Sequence, residues 1–263
     1  MHERIQPGVD DIKTRHIKRQ LQHKRMMKRR RIIFFTVLTL LVLFIVLFFT
    51  PLFNIKHINI YGNAKIETAV IKQAVGSIEE ENLFRLSKKK IVKNISNLPY
   101  IDEVKITKKV LPVGINVDIT ECIPVGYVMF GNEYAILDKN LKVLEVSEAA
   151  AEGISEIAGI DATAANPGSI LASDDAEKLQ TVTECIGILI DNEIISKIGK
   201  IDFSDMSNIM FTYENRLNVV CGSSIDFSKK AGMLIKAVNS SKLTANSRGT
   251  MDISISGKAI YTP

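Results

Sequence analysis

The feature that most constrains this chain is a long apolar run near its N terminus. From Ile32 to Phe53 there are 22 residues without a charged side chain, and only Thr36, Thr39 and Thr50 are polar. A helix of about 20 residues crosses the roughly 30 Å hydrocarbon core of a bilayer. A buried helix of a soluble protein is seldom apolar on every face over this length. The sequence therefore predicts one transmembrane helix over the run.

A cleaved signal peptide is not expected at this run. Such a peptide has an apolar region of about 7 to 15 residues, followed by a cleavage site with small side chains. Here the apolar region is longer, and it ends in Phe48-Phe49-Thr50-Pro51. The run is therefore predicted to stay in the membrane as an anchor.

Charge is distributed unevenly on the two sides of the run. Residues 1–31 contain 11 basic and 3 acidic side chains, a net charge of +8, whereas the rest of the chain contains 23 and 26, a net charge of −3. Basic residues that flank a span are retained in the cytoplasm. Residues 1–31 are thus a predicted cytoplasmic tail, residues 32–53 the transmembrane helix and residues 54–263 the extracytoplasmic region. The topology signal directly precedes the run: Lys28, Arg29, Arg30 and Arg31.

A basic tail is also typical of proteins that bind nucleic acid. In this tail, however, no aromatic residue lies among the charges. Topology and attraction to anionic lipid headgroups account for the charge. Membrane lipid is therefore an expected partner, and nucleic acid is not.

The residues after the run predict two domains with both helices and strands. Residues 54–122 read as strand, helix, helix, strand and strand, the order of a compact α+β domain. The first helix is expected to have Asn63 as its cap and to bury Val70 and Ala74. Residues 123–263 predict a mixed sheet with two helices, and the last two strands are expected at Thr250–Ile255 and Lys258–Tyr261.

The residue types of an enzyme or a metal centre are largely missing from this region. His57 is the only histidine beyond the tail, and no phosphate-binding loop or nucleophile elbow occurs. No catalytic residue, metal site or cofactor is predicted. Cys122, Cys185 and Cys221 adjoin apolar residues, so we expect them to be buried, unpaired thiols. A glycan enzyme that uses carboxylates remains open.

Besides the basic tail and the span, the sequence contains a series of short motifs, which are Phe53-x-Ile55-x-x-Ile58-x-Ile60-x-Gly62-Asn63, Asn82-Leu83-Phe84, Leu98-Pro99-Tyr100-Ile101-Asp102-Glu103-Val104, Leu111-Pro112, Ile119-x-Glu121, Pro124, Leu137-Asp138 and Gly249-Thr250-Met251-Asp252-Ile253. In their order and spacing, these motifs resemble those of the FtsQ/DivIB family of bacterial cell-division proteins. One departure is Cys122, where the family commonly has arginine.

This resemblance implies a POTRA domain at residues 54–122 and a partner-binding β-domain at residues 123–263. It implies a non-enzymatic scaffold that binds bitopic partners of the FtsL/DivIC (FtsB) type and acts indirectly on septal peptidoglycan synthases. It also implies a single-pass type II protein of the bacterial cell membrane, enriched at the division septum. In the family, partners bind the last strand and its neighbour, which here correspond to Lys258, Ala259, Ile260 and Tyr261 with Ile253 and Ile255.

Two other functions remain open. A POTRA-type chaperone of protein export would use the same strand addition, although such proteins usually contain several repeats and one is predicted here. A membrane-anchored cell-wall enzyme is the other. A glycosylated eukaryotic surface protein is disfavoured, because secreted domains of that kind usually contain an even number of cysteines.

Overall fold

A computed structural model of the protein describes residues 9–48, 50–240 and 243–263, with side chains for 26–46, 50–240 and 243–263. Helix α1 (Val9–Phe48) contains most of the apolar run and part of the predicted tail. The run does not continue as one helix to its end, because Pro51–Phe53 form a separate 3₁₀ turn that begins at a residue without a backbone donor. Within the described ranges, no helix is both long enough and apolar enough to cross a membrane.

The remaining elements follow the predicted order of strands and helices. The first sheet has three strands in the order β1-β3-β2, and the second has nine in the order β14-β13-β12-β11-β10-β7-β4-β5-β6. A short pair, β8-β9, completes the strands. In chain order the elements are β1 (His57–Tyr61), α2 (Thr68–Val75), α3 (Lys88–Ser96), β2 (Ile101–Val110), β3 (Val113–Glu121), β4 (Gly126–Phe130), β5 (Glu133–Leu137), β6 (Val143–Ser147), β7 (Ser155–Ala158), β8 (Ala162–Ala164), β9 (Ala172–Ser173), α4 (Ala176–Asp191), β10 (Ile198–Asp202), β11 (Ile209–Tyr213), β12 (Leu217–Gly222), α5 (Phe227–Val238), β13 (Gly249–Asp252) and β14 (Ile260–Thr262).

The chain divides by its internal contacts into two compact units. The first, here the anchor unit, consists of the residues up to His57 with Ile78–Leu86 and Lys108–Ile115. The second, here the sheet unit, consists of Ile58–Ser77, Ser87–Thr107 and Asn116–Pro263. Each unit is built from segments that are distant in sequence, so tertiary contacts rather than local propensity define both.

In the anchor unit, the loop at 78–86 pairs with the segment that follows α1. The Leu83 N–H donates to the Phe53 carbonyl at 2.9 Å, and the Ile55 N–H donates to the Glu81 carbonyl at the same distance. Leu83 and Ile55 are buried. Phe84 is exposed, with its ring edge against Phe53 at 5.3 Å between centroids.

In the sheet unit, helix α2 begins later than its sequence suggests. The backbone N–H groups of residues 64–66 all donate to the Glu121 carboxylate, at 2.8 to 3.1 Å. They are therefore engaged before a helix can start, and the helix begins at Thr68. The predicted cap and apolar face are wrong: the Asn63 amide donates to the Ile66 carbonyl, and α2 buries Ile71 and Val75.

The nine-stranded sheet is mixed, as predicted. Three neighbouring pairs are parallel, namely β4 with β7, β7 with β10, and β12 with β13, and the other pairs are antiparallel. Helices α4 and α5 supply the apolar side chains that cover it, among them Val182, Leu189 and Leu234. Burial of these side chains is the main stabilising contribution to this part of the fold.

All three cysteines are free and buried, in agreement with the sequence-based expectation. Burial raises the pKa of Cys122, Cys185 and Cys221 to about 12 in each case. A thiol with so high a pKa stays protonated at neutral pH and is a poor nucleophile. These residues therefore act in packing. The Cys122 thiol also donates to the Asp138 carboxylate at 3.4 Å.

Candidate partner-binding site

The C-terminal strand β14 forms one edge of the nine-stranded sheet. The chain leaves β12, crosses through α5 and returns as β13, which pairs with β12 in parallel. It then turns back as β14, which pairs with β13 in antiparallel register with Ile260 opposite Asp252 and Tyr261 opposite Met251. Since β14 is last in the strand order, one row of its backbone groups has no strand beside it within the described residues. Such an edge is a template for an added strand.

The turn between β13 and β14 is longer than the sequence predicts. Strand β13 ends at Asp252 because its carboxylate accepts a hydrogen bond from the Ser254 N–H at 2.8 Å, a side-chain turn that competes with strand pairing. Gly257 then adopts φ +87°, and the Lys258 N–H donates to the Ile255 carbonyl. The predicted strands Thr250–Ile255 and Lys258–Tyr261 are therefore wrong at these ends.

The six predicted partner-binding residues fall into two groups. Ile253 belongs to the hydrophobic core, with 0% of its surface exposed, so its side chain does not reach the surface. Ile255 is 62% exposed and Ile260 is 43% exposed. Lys258 and Ala259 are also exposed, whereas Tyr261 is half-buried against the core. The exposed turn and strand β14 therefore follow directly after Ile253, which belongs to the core.

Two close approaches position β14, and of the four residues involved the sequence singles out Tyr261 and Gly249. The Tyr261 hydroxyl donates to the Arg248 carbonyl at 2.7 Å. At Gly249, which has φ +141°, a Cβ atom would lie 2.2 Å from the Thr262 carbonyl oxygen. Only glycine allows this approach without strain. Gly249 belongs to one of the motifs on which the resemblance rests, and the close approach to Thr262 gives a physical reason for a glycine at this position.

The charge at this edge is small and mixed. The hydroxyl and the backbone N–H of Ser254 hold the pKa of Asp252 below its usual value, and Lys258 adds a weaker effect of the same sign. Asp252 is therefore ionised at neutral pH beside an exposed lysine. This arrangement suits recognition through the backbone and apolar side chains more than recognition of a strongly charged ligand.

The other predicted site residues lie elsewhere. Lys28, Arg29, Arg30 and Arg31, the predicted topology signal, are on α1 and exposed. In the portion of the chain that the structure describes, no group of three or more His, Cys, Asp or Glu residues is arranged to hold a metal ion. The edge at β14 is consequently the candidate site.

Comparison with known proteins identifies the class first. The family described as POTRA domain, FtsQ-type, matches residues 53–121. The chain is thus a POTRA protein in which that domain is followed by a mixed sheet.

Relatives over most of the chain identify the family. The cell division protein DivIB of Clostridium botulinum (strain Hall) is 30% identical over 213 residues, which cover 80% of this chain and 82% of that protein. DivIB of Clostridium acetobutylicum is 29% identical to this chain, and the match covers 81% of this chain and 84% of that protein. The chain belongs to the DivIB family of bacterial cell division proteins.

A solved structure shows a weaker likeness. The major extracytoplasmic domain of the trans isomer of DivIB from Geobacillus stearothermophilus is 12% identical, with 45% of this chain and 92% of that chain covered and a TM-score of 0.32. A TM-score of this size does not bear on the fold, so the family assignment rests on the sequence relatives and the POTRA match.

Proposed function

We propose that this chain is a non-enzymatic scaffold of the division machinery that captures bitopic partners of the FtsL/DivIC (FtsB) type by strand addition at β14. The observation that carries this proposal is the position of β14 at the end of the sheet, next to exposed residues 255–260. A partner segment would pair with the backbone of β14, and Ile260 and Ile255 would offer apolar contacts beside it. Ile253 would support the site from within the core.

In this proposal, α1 anchors the protein in the cell membrane, and the N terminus lies in the cytoplasm. The uncharged residues 32–48 of α1 and the arginines before them support this orientation. The partner site would then lie outside the cell, where septal peptidoglycan is made. Capture of bitopic partners would act on the synthases indirectly, because the chain offers binding surfaces rather than a catalytic group.

Strand addition is tested with the full chain purified from membranes together with candidate FtsL/DivIC-type partners from the same bacterium. Ile260→Pro removes a backbone donor from β14 and so disturbs the strand on which a partner segment would pair, and we expect capture to weaken by about tenfold. Ile260→Arg keeps the backbone donor and adds a charge. Ile225→Arg is the matched control, because Ile225 is 73% exposed but lies outside β13 and β14.

We expect both Ile260 variants to lose capture while their unfolding transitions stay close to that of the parent chain. Ile225→Arg should capture partners normally. Undiminished capture by Ile260→Pro would rule out strand addition at this edge. Equal losses in all three variants would point to general damage to the ectodomain.

Location in the cell separates this proposal from the two alternatives. A fluorescent protein fused to the N terminus should form a band at midcell before constriction begins. An even distribution in the membrane throughout the cell cycle would favour an export chaperone or an anchored cell-wall enzyme instead.

A further inference from the structure

The anchor unit, which includes α1, exposes several large apolar side chains beyond that helix. Leu111, at the tip of the β2–β3 hairpin, is 91% exposed, and Leu52, Phe84 and Val110 are exposed as well. We call these four residues the apolar tip. Single exposed apolar residues are ordinary on protein surfaces. Four in one small unit, contributed by three separate segments, make this unit a candidate for contact with an apolar environment.

Hydrogen bonds and ring contacts hold these three segments together. The Lys56 N–H donates to the Val113 carbonyl at 3.2 Å, which joins the segment after α1 to the hairpin. The Lys108 ammonium donates to the Leu86 carbonyl at 3.0 Å, which joins the hairpin to the loop at 78–86. The ring contact between Phe53 and Phe84 joins that loop to the first segment. The apolar tip is therefore carried on a connected framework.

The position of the apolar tip, close to the end of α1 at Leu52, indicates that a bilayer covers it. Leu52 lies four residues after Phe48, the last residue of α1, so at most about 14 Å of extended chain separates them. Residues 32–48 of α1 are uncharged and their described side chains are exposed. If α1 lies in a bilayer, the apolar tip is within reach of the interface of that bilayer, where apolar side chains enter by roughly 5 to 10 Å.

The charges of the anchor unit indicate which force would hold the tip there. Beyond α1 this unit contains four cations, Lys56, Arg85, Lys108 and Lys109, and three carboxylates, Glu79, Glu80 and Glu81. The two sets nearly cancel, so attraction to anionic headgroups is weak. Contact of the apolar side chains with the acyl boundary is the main attraction, and docking should depend little on lipid charge.

We propose that Leu52, Phe84, Val110 and Leu111 insert into the interface of the bilayer that holds α1, so that the anchor unit rests on the membrane surface rather than standing off from it. This inference depends on the proposed membrane anchor. Its consequence is a second, non-covalent attachment to the membrane, in addition to the helix.

The test uses the full chain in phosphatidylcholine vesicles at a protein-to-lipid ratio low enough to leave most vesicles with one copy. A polarity-sensitive fluorophore is attached to a single introduced cysteine at Leu111→Cys, and in a second protein at Ile225→Cys. Ile225 is the matched control, since it is an exposed apolar residue of the sheet unit. The three native thiols are buried, and labelling of the parent chain measures their background. Some of the lipids carry a quencher near the headgroup, so quenching of the fluorophore shows that the labelled position contacts the bilayer interface.

We expect the probe at position 111 to be quenched severalfold more than the probe at position 225, with little change when anionic lipid is added. Equal quenching at the two positions, in protein that floats with the vesicles, would overturn the inference and leave the anchor intact. Failure of the chain to float would overturn both the anchor and the inference. At a higher protein-to-lipid ratio, disulfide crosslinking between unlabelled Leu111→Cys copies, without lipid quenching of the labelled protein, would assign the tip to a second copy and would also overturn the inference.

Discussion

The two edges of the nine-stranded sheet are built in opposite ways. At the β6 edge a segment of the same chain covers the strand: the Val143 N–H donates to the Ser169 carbonyl and the Gly168 N–H donates to the Val143 carbonyl, both at 2.8 Å. Val143 and Leu144 are buried. At the β14 edge no such segment occurs in the described ranges, and residues 255–260 are exposed. Proteins usually protect sheet edges against unwanted pairing, so the unprotected edge is the one available to a partner.

The covered edge is further secured by one lysine. The Lys142 ammonium donates to the carbonyls of Ser96 and Leu98, both at 3.0 Å, and of Ile101 at 2.7 Å. These acceptors lie at the end of α3 and the start of β2, so Lys142 joins the start of β6 to the segment between the last helix and second strand of the POTRA region. The open edge depends instead on the Tyr261 hydroxyl and on the close approach at Gly249.

The largest expected effect is at the covered edge, for Lys142→Met. Methionine keeps most of the aliphatic stem but leaves three partly buried carbonyls without their charged donor. Bonds of this kind contribute roughly 1 to 2 kcal/mol each, and not additively, so the free energy of unfolding should fall by about 3 kcal/mol. Denaturant unfolding of the variant and the parent chain gives the difference.

Lys139→Met is the control for this prediction. Lys139 pairs with Asp102 at 3.0 Å, but both side chains are substantially exposed. Its loss should cost about 0.5 kcal/mol or less. If the two variants lose the same stability, the three carbonyl bonds of Lys142 do not secure the covered edge, and the comparison of the two edges fails at that point.

The next effect in size is at the open edge, for Gly249→Ala. The added methyl group would meet the Thr262 carbonyl, and φ +141° is a strained conformation for alanine. We expect a loss of about 2 kcal/mol, the range of a strained backbone residue, together with loss of partner capture because β14 is displaced. Gly232→Ala in α5 is the control, since a Cβ there meets nothing within 4 Å. It should stabilise the helix by about 0.5 to 1 kcal/mol and leave capture unchanged. Normal capture by Gly249→Ala would contradict the need for an ordered β14.

The order of elements was predictable from sequence, whereas the details of both edges were not. Alternation in β3 and the apolar periodicity of α4 are local patterns that tertiary contacts reinforce. At the C terminus, Ile253 and Ile255 continue the alternation of β13, but the turn at Asp252 and Ser254 ends the strand, so Ile253 enters the core from a loop. The hydrogen bond between the Ser254 N–H and the Asp252 carboxylate therefore ends the strand, although the apolar alternation predicts that it continues.

The role of Lys142 had no sequence signal. Its acceptors are carbonyls more than 40 residues away in the chain, and any residue type can supply them. Glu121 is similar, because its partners are backbone N–H groups near residue 65. Glu121 and Gly249 both belong to family motifs, but a motif does not predict what either residue contacts. Three-dimensional proximity of backbone groups is the information that sequence lacks.

The smallest expected effect is the pH dependence of the turn that leads into the open edge. Ser254 lowers the pKa of Asp252 in the folded chain, so the carboxylate contributes stability above its unfolded pKa of about 3.9, and this contribution is lost as the pH falls further through the folded pKa. Because Asp252 is only partly buried, the contribution is no more than about 0.5 kcal/mol. Asp252→Asn keeps a carbonyl acceptor for the Ser254 N–H and removes the titration. The parent chain should therefore be slightly more stable than the variant at pH 7, and the difference should disappear in acid. A difference that persists unchanged below the folded pKa would mean that the ionised carboxylate does not stabilise this turn, and that the open edge is positioned by Gly249 and Tyr261 alone.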